Sequence, residues 1–171
     1  PITTLRERVG IDVSANQGTI NFRKVKDAGI EFVILRSTTR NGNPDTKFAE
    51  YLKACDVNLL EVHCYKYSYA LNEADAMAEA DSVIRLLNGR KMTIWYDVEN
   101  TEQINKIGKQ GLTRVINAFA NRCKMFGYTV GIYCNLNWWN VYLEDSIKRD
   151  YEIWLARYGK NNGALDNNYK P

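Results

Sequence analysis

The sequence contains a single histidine, His63. One histidine excludes metal sites built from two or three imidazoles, and it leaves one candidate for a histidine-based catalytic triad. Because His63 falls within a predicted strand, we expect a hydrogen-bonded core side chain and assign it no chemistry.

Cysteine is also scarce. The four cysteines are Cys55, Cys64, Cys123 and Cys134, and none forms a Cys-x-x-Cys pair, which excludes the usual zinc and thioredoxin patterns. We expect buried free thiols. Disulfides stay open as an alternative, because an even number of cysteines in an exported protein permits three connectivities.

Long hydrophobic runs and a strong net charge are both missing. Apolar stretches such as Phe32–Leu35 are far shorter than the roughly 20 residues that span a bilayer. Lys and Arg number 23 against 20 Asp and Glu, a net charge of +3 without a basic block, so we expect neither a nucleic-acid interface nor a membrane span. No glycine-rich phosphate loop follows the first predicted strand. With 171 residues, 45% of them apolar, we expect one soluble globular domain.

One pattern recurs along the chain: a short β-branched run, a turn and an amphipathic segment. It predicts a parallel α/β sheet covered by helices, either doubly wound and open or an incomplete barrel. The predicted strands are Val9–Ser14, Phe32–Ser37, Leu59–Tyr67, Met92–Val98, Thr129–Cys134 and Glu152–Ala156.

Helices are predicted between these strands from capping residues and apolar periodicity. Asn21 and Asn72 are expected N-caps, and Gly29, Asn88-Gly89 and Gly127 are expected stops. Lys47–Asp56 and Leu136–Leu143 are further predicted helices. The expected apolar faces are Met77, Ala80, Ile84 and Leu87 on one long helix, and Leu112, Ile116, Phe119, Cys123 and Phe126 on a helix that follows a polar loop.

Three carboxylates lie at predicted strand ends, where parallel α/β folds bind their ligands. Asp12 ends the first strand, and Asp97 and Glu99 end the fourth. Because side chains alternate along a strand, positions 97 and 99 share one face, about 6–7 Å apart. Mutual repulsion and partial burial should raise one pKa and leave a protonated acid beside an ionised partner, as glycoside cleavage requires. The alternative is a purely structural Asp cap and Glu ion pair.

Six segments, in this order along the chain, carry a resemblance to a known family. They resemble the glycoside hydrolase family 25 lysozymes, the Chalaropsis-type N-acetylmuramidases, over about residues 9 to 158. The segments are Gly10–Gly18 (GIDVSANQG), Ala28–Arg36 with Phe22 and Val25 before it, Tyr65–Ala70 (YKYSYA), Asp97–Glu99 (DVE), Gly131–Tyr133 with Trp138-Trp139, and Trp154–Tyr158 (WLARY).

The resemblance implies a modified (β/α) barrel, similar to a TIM barrel, that cleaves the β-1,4 bond between N-acetylmuramic acid and N-acetylglucosamine in bacterial peptidoglycan. It implies no cofactor and an extracellular or cell-wall location. Glu99 would be the general acid, Asp97 would orient the 2-acetamido group as it attacks the anomeric carbon, and Asp12 would tune the pair and hold the sugar. Direct attack by water is the alternative to this substrate-assisted route.

Aromatic residues and one arginine are expected around these carboxylates. Tyr65, Tyr67 and Tyr133 stand at strand ends, where their hydroxyls could bond sugar substituents, and Trp138 and Trp154 are expected to offer indole faces to pyranose rings. Plain barrel packing is the alternative for Tyr67 and Trp154. Arg36 is expected to pair with a catalytic carboxylate, with a substrate acid or in a structural ion pair.

The sequence departs from the family pattern at two points. Lys66 stands where the family often has an imidazole. The chain also ends at Pro171, before the family's last strands, a Trp-Gln-Tyr segment and a fourth acidic residue. We therefore expect a short N-terminal extension, residues 1–8, and an incomplete catalytic domain, residues 9–171, closed by more chain, a partner subunit or an exchanged segment. A non-catalytic wall-binding or scaffold domain is the alternative function.

Overall fold

The computed structural model describes residues 7–157, in which six strands form one sheet. The strands are β1 (Gly10–Val13), β2 (Phe32–Arg36), β3 (Glu61–Tyr67), β4 (Thr93–Asp97), β5 (Thr129–Asn135) and β6 (Glu152–Ala156). The helices are α1 (Phe22–Asp27), α2 (Phe48–Val57), α3 (Glu73–Leu87), α4 (Thr101–Met125), α5 (Leu136–Val141) and α6 (Asp145–Asp150), with a 3-10 turn at Ala15–Gln17. No helix in this range combines the length and the apolarity needed to cross a bilayer.

The sheet is parallel throughout, and each strand pairs with the strand before it in the chain. Within residues 7–157, β1 and β6 form its two edges. The sheet nevertheless curls, and the curl brings its two edges together: Ile11 and Asp12 of β1 line the same hollow as Ile153 and Trp154 of β6. The result is a partly closed barrel, which confirms the expected TIM-like α/β fold without its closing strands.

The two faces of the sheet pack differently. Side chains on the outer face, such as Leu35 and Ile132, join the helices in the hydrophobic core. On the inner face, Trp95 lies 5.9 Å from Trp154 between ring centroids. Gly131 makes room for this layer, since a Cβ there would lie 2.5 Å from the Trp95 ring.

Capping residues and apolar patterns in the sequence predicted most helices and strands correctly. Asn21 caps α1 and Asn72 caps α3, each accepting a backbone N–H from the first turn, and Asn88 ends α3 in the left-handed conformation. The β6 bounds are as predicted, and the other strands differ by one or two residues at their ends. All four cysteines are buried and unpaired, which confirms the expected free thiols.

The helical predictions were wrong in four details. The polar stretch before Leu112 is not a loop, because α4 begins at Thr101 and continues through a break at Gly108. The short helix α6 was not predicted. Met77 and Phe126 are exposed to 42% and 47%, so neither joins the apolar face of its helix.

Candidate active site

A cavity of about 330 Å³ opens at the carboxyl ends of the strands. All three predicted carboxylates line it together with aromatic side chains and the loop after β2. Its lining residues are Asp12, Arg36, Thr38, Thr39, Arg40, Tyr65, Tyr67, Tyr69, Asp97, Glu99, Tyr133 and Trp154. The structure therefore brings together eight of the nine predicted site residues.

Strand register explains this convergence. Tyr67 of β3 lies beside Asp97 of β4, Asp97 beside Tyr133 of β5, and Tyr133 beside Trp154 of β6. Four neighbouring strands thus contribute one continuous row of side chains to the inner face. Glu99 lies two residues beyond Asp97 and reaches the same cavity, as the alternation of side chains predicts.

Burial and charge repulsion raise the carboxyl pKa values. The pKa of Asp97 rises to about 8, first because the side chain is buried and then because Glu99 and Asp12 are close. Burial also raises the pKa of Glu99 and of Asp12, although Asp12, on edge strand β1, keeps substantial contact with solvent. Of the three carboxyl groups, Asp97 therefore holds its proton most strongly.

Asn135 favours the ionised form of Glu99. The Asn135 Oδ1 accepts the backbone N–H of Trp138 at 3.0 Å and so caps α5, which leaves the side-chain amide to donate. A hydrogen bond from this amide to Glu99 opposes the increase in pKa that burial causes. The two acids are thus distinguished by their surroundings, since Asp97 Oδ1 is buried and has no hydrogen-bond partner within residues 7–157.

Aromatic rings form the walls of the cavity. The ring centroids of Tyr133 and Trp154 are 4.6 Å apart, and those of Tyr67 and Tyr69 are 4.8 Å apart. Burial raises the pKa of both Tyr65 and Tyr67 to about 12, so both hydroxyls stay protonated and can donate hydrogen bonds. The cavity combines flat apolar surfaces with hydroxyl donors.

Arg36 forms a structural ion pair. Its Nε lies 2.7 Å from Oδ2 of Asp45, a carboxylate that is 1% exposed and also accepts the backbone N–H groups of Ala15 and Lys47. This favours the structural alternative for Arg36 over a pair with a catalytic carboxylate. The guanidinium still borders the cavity.

The prediction that Trp138 faces a sugar was wrong. Trp138 of α5 is 5% exposed and packs in the core against Tyr142, with 5.2 Å between the ring centroids. His63 lies lower on the inner face of β3, outside the cavity lining, and is only half-buried. Its Nε2 forms a hydrogen bond with Glu61, and its Nδ1 accepts the backbone N–H of Thr93, as expected of a structural histidine.

Four lining residues were not predicted: Thr38, Thr39, Arg40 and Tyr69. The first three follow β2 directly, in a loop that a bridge between Thr38 and Pro44 folds back on itself. Their position after a parallel strand was the signal that could have found them. No group of His, Cys, Asp or Glu within residues 7–157 is placed to hold a metal ion.

Comparison with known proteins gives consistent matches. The family model described as glycosyl hydrolases family 25 matches residues 11–170. The autolytic lysozyme of Clostridium acetobutylicum is 25% identical over 164 residues, which are 94% of this chain and 48% of that protein. Lysozyme-like protein 5 of Caenorhabditis elegans is 28% identical over 164 residues, 88% of this chain and 73% of its own length.

Solved structures show the same fold. The modular autolysin LytC of Streptococcus pneumoniae, solved with a synthetic peptidoglycan ligand, has a TM-score of 0.77 at 25% identity and covers 95% of this chain. A muramidase from Trichobolus zukalii has a TM-score of 0.73 at 21% identity and covers 93%. The chain spans 40% of the autolysin, 81% of the muramidase and about half of the Clostridium lysozyme. Because the family model matches nearly the whole sequence, the chain belongs to the glycosyl hydrolases of family 25.

Proposed function

We propose that this chain is a peptidoglycan hydrolase that acts at the bacterial cell wall and cleaves the β-1,4 bond between N-acetylmuramic acid and N-acetylglucosamine. The observation that carries the proposal is the meeting of Asp12, Asp97 and Glu99 in one cavity walled by aromatic rings. Membership in family 25 and the lysozymes and muramidases among its relatives support the same reaction.

Glu99 is the proposed general acid that protonates the glycosidic oxygen. It lines the cavity, and burial raises its pKa, so it can carry a proton closer to neutral pH than an exposed glutamate. Its hydrogen bond from Asn135 stabilises the carboxylate that remains after the proton has left.

Asp97 is the proposed partner of the 2-acetamido group. Its buried Oδ1 has no hydrogen-bond partner among the described residues and can accept the acetamido N–H of a bound sugar. That hydrogen bond favours the ionised form of Asp97, so substrate binding would move the proton of the pair from Asp97 to Glu99. The acetamido oxygen could then attack the anomeric carbon as the glycosidic bond breaks.

Asp12 and the remaining lining residues have proposed roles in holding the sugar. Asp12 contributes to the raised pKa of Asp97 from the edge of the cavity. Tyr65 and Tyr67 offer hydroxyl groups, and the Tyr133 and Trp154 rings offer faces for a pyranose. Arg36, which is paired with Asp45, borders the same space. Nothing in this mechanism uses a metal or an organic cofactor.

The experiment is hydrolysis of purified cell walls. The purified chain should clear a peptidoglycan suspension and create reducing ends at muramic acid. Replacing the general acid, Glu99→Gln, should lower kcat by about 10²–10⁴-fold, while Glu50→Gln, an exposed residue in the first turn of α2, should keep full activity. New reducing ends at glucosamine, or an unchanged rate in Glu99→Gln, would refute the assignment.

A non-catalytic wall-binding domain remains the second candidate, because the barrel is open between β1 and β6 within residues 7–157. Retention on cell walls without any release of product, equal in the natural chain and in Glu99→Gln, would identify the binder. We further propose that the domain begins near residue 9 and that more chain, a partner subunit or an exchanged segment completes the barrel. Adding downstream coding sequence and measuring turnover would test this completion.

A further inference from the structure

A second cavity, of about 510 Å³, adjoins the candidate active site. The two cavities share a wall, because Arg40 and Tyr69 line both. The second one lies between the loop after β2 and the face of α3 that carries Glu79, Ser82 and Arg85. Its volume is typical of a cavity that holds a small ligand.

Two buried charges of this cavity neutralise each other. Lys66 is fully buried, donates from Nζ to the Thr39 carbonyl oxygen at 2.8 Å, and lies 4.0 Å from Oε1 of Glu79. Glu79 also accepts the backbone N–H of Tyr69 at 2.8 Å and the hydroxyl of Tyr96 at 2.7 Å. Neither charge therefore needs a ligand, and both fix the shared wall in place.

The remaining carboxylate, Asp75, is also occupied. Its Oδ2 accepts the backbone N–H of Leu71 at 3.3 Å and the side-chain amide of Asn72 at 2.9 Å. It lies in the first turn of α3, where the helix dipole favours a negative charge. Asp75 is thus engaged in capping the helix.

Arg85 has no acidic partner within residues 7–157, and the nearest charge opposite Arg40 is Glu102, whose pKa the guanidinium helps to lower without a direct ion pair. Both arginines are exposed, and neither forms an ion pair in the part of the chain that the structure describes. The Arg40 guanidinium lies 4.9 Å from the centroid of the Tyr69 ring, which holds it at the boundary between the two cavities. Two guanidinium groups on one cavity favour an anionic ligand.

We propose that the second cavity binds a carboxylate of the peptide attached to the glycan strand, with Arg40 and Arg85 as the binding side chains. This inference rests on the proposed function, because peptidoglycan carries such peptides on its muramic acid residues. A glycan in the first cavity would present its peptide beside Arg40. A guanidinium can hold a carboxylate through two parallel hydrogen bonds, which gives recognition of the substituent as well as of the sugar.

The first test compares two substrates. Arg85→Ala is the informative variant, because Arg85 lines the second cavity and not the first. On glycan strands that carry peptides, we expect Arg85→Ala to raise KM about three- to tenfold without changing kcat. On strands stripped of peptide by an amidase, we expect the same KM as for the natural chain. Arg23→Ala on α1, a matched control, should behave as the natural chain on both.

The second test needs no turnover. The free acidic peptide should bind the natural chain more tightly than the same peptide with its carboxylates amidated, and Arg85→Ala should remove that preference. Equal binding of the two peptides, absence of binding, or equal effects of Arg85→Ala on both glycans would overturn the inference. If the natural chain cleaves neither glycan, the proposed function fails, and the peptide titration still decides whether the cavity binds carboxylates.

Discussion

The buried carboxyl of Asp97 should cost the protein stability at neutral and alkaline pH. Its pKa is about 8 in the folded chain, against about 4 for an aspartate in an unfolded chain. Because the folded-state pKa lies above the unfolded value, the stability that depends on a protonated Asp97 is fully present below about pH 4. It is lost progressively as the pH rises toward 8. The difference between the two pKa values corresponds to about 5 kcal/mol of unfolding free energy, which is the upper value reached when Asp97 is completely ionised.

Asp97→Asn keeps the shape of the side chain and removes the ionisation. We expect the variant to lose all activity and to unfold at higher urea concentration than the natural chain at pH 8, with a gain of at least about 2 kcal/mol. Between pH 5 and 8, the natural chain should lose up to about 1.4 kcal/mol per pH unit from this one group, and the variant should not.

The assay is urea unfolding at unit intervals from pH 4 to pH 9, followed by tryptophan fluorescence. Glu152→Gln, an exposed carboxylate on β6, is the control for simply removing one negative charge. The informative quantity is the difference in unfolding free energy between the natural chain and each variant. If that difference for Asp97→Asn stays constant from pH 5 to pH 8, the raised pKa and the argument built on it are wrong.

Three further changes test other parts of the structure. Asn135→Ser should retain the cap of α5 but remove the amide bond to Glu99, so the pKa of Glu99 should rise. Because Asp97 holds the last proton of the free pair, the acidic limb of the kcat/KM profile should move to higher pH while the alkaline limb stays in place; an unmoved acidic limb would contradict this. Gly131→Ala should destabilise the chain by about 1–3 kcal/mol in urea unfolding, because its Cβ would overlap an indole ring. Trp154→Phe should raise KM with little loss of stability, whereas Trp138→Phe should lower stability and leave KM unchanged; the reverse pattern would restore the sugar-facing role to Trp138.

The convergence of the acids could be predicted because it depends on local rules. Parallel strands carry their carboxyl ends to one edge of the sheet, and alternation puts positions 97 and 99 on one face. The same rule predicted Asp12, at the end of the first strand, and the resemblance to a known family added the roles of the three acids. The spacing of the two acids along the strand does not predict which of them is protonated, because this depends on how deeply each acid is buried and on the amide of Asn135.

The missed features depend on contacts between distant segments. The face that α5 buries is decided by the residues packed around it, so its sequence does not tell whether Trp138 faces inward or outward. The loop that carries Arg40 is held by the bond from Lys66 to the Thr39 carbonyl oxygen, across 27 positions of sequence. Neither contact leaves a signal in the residues next to it, whereas the Asn caps of α1 and α3 do.

The strictly sequential strand order has a consequence for how the chain acquires its structure. Each new strand docks on one that has already been synthesised, and no pairing has to wait for a distant segment. Loop closure is therefore short at every step, which lowers the entropic barrier and permits assembly from the amino end during translation. Among the strands of residues 7–157, β6 docks after the other five, so Trp154 would join the aromatic wall after the carboxylates are already in position.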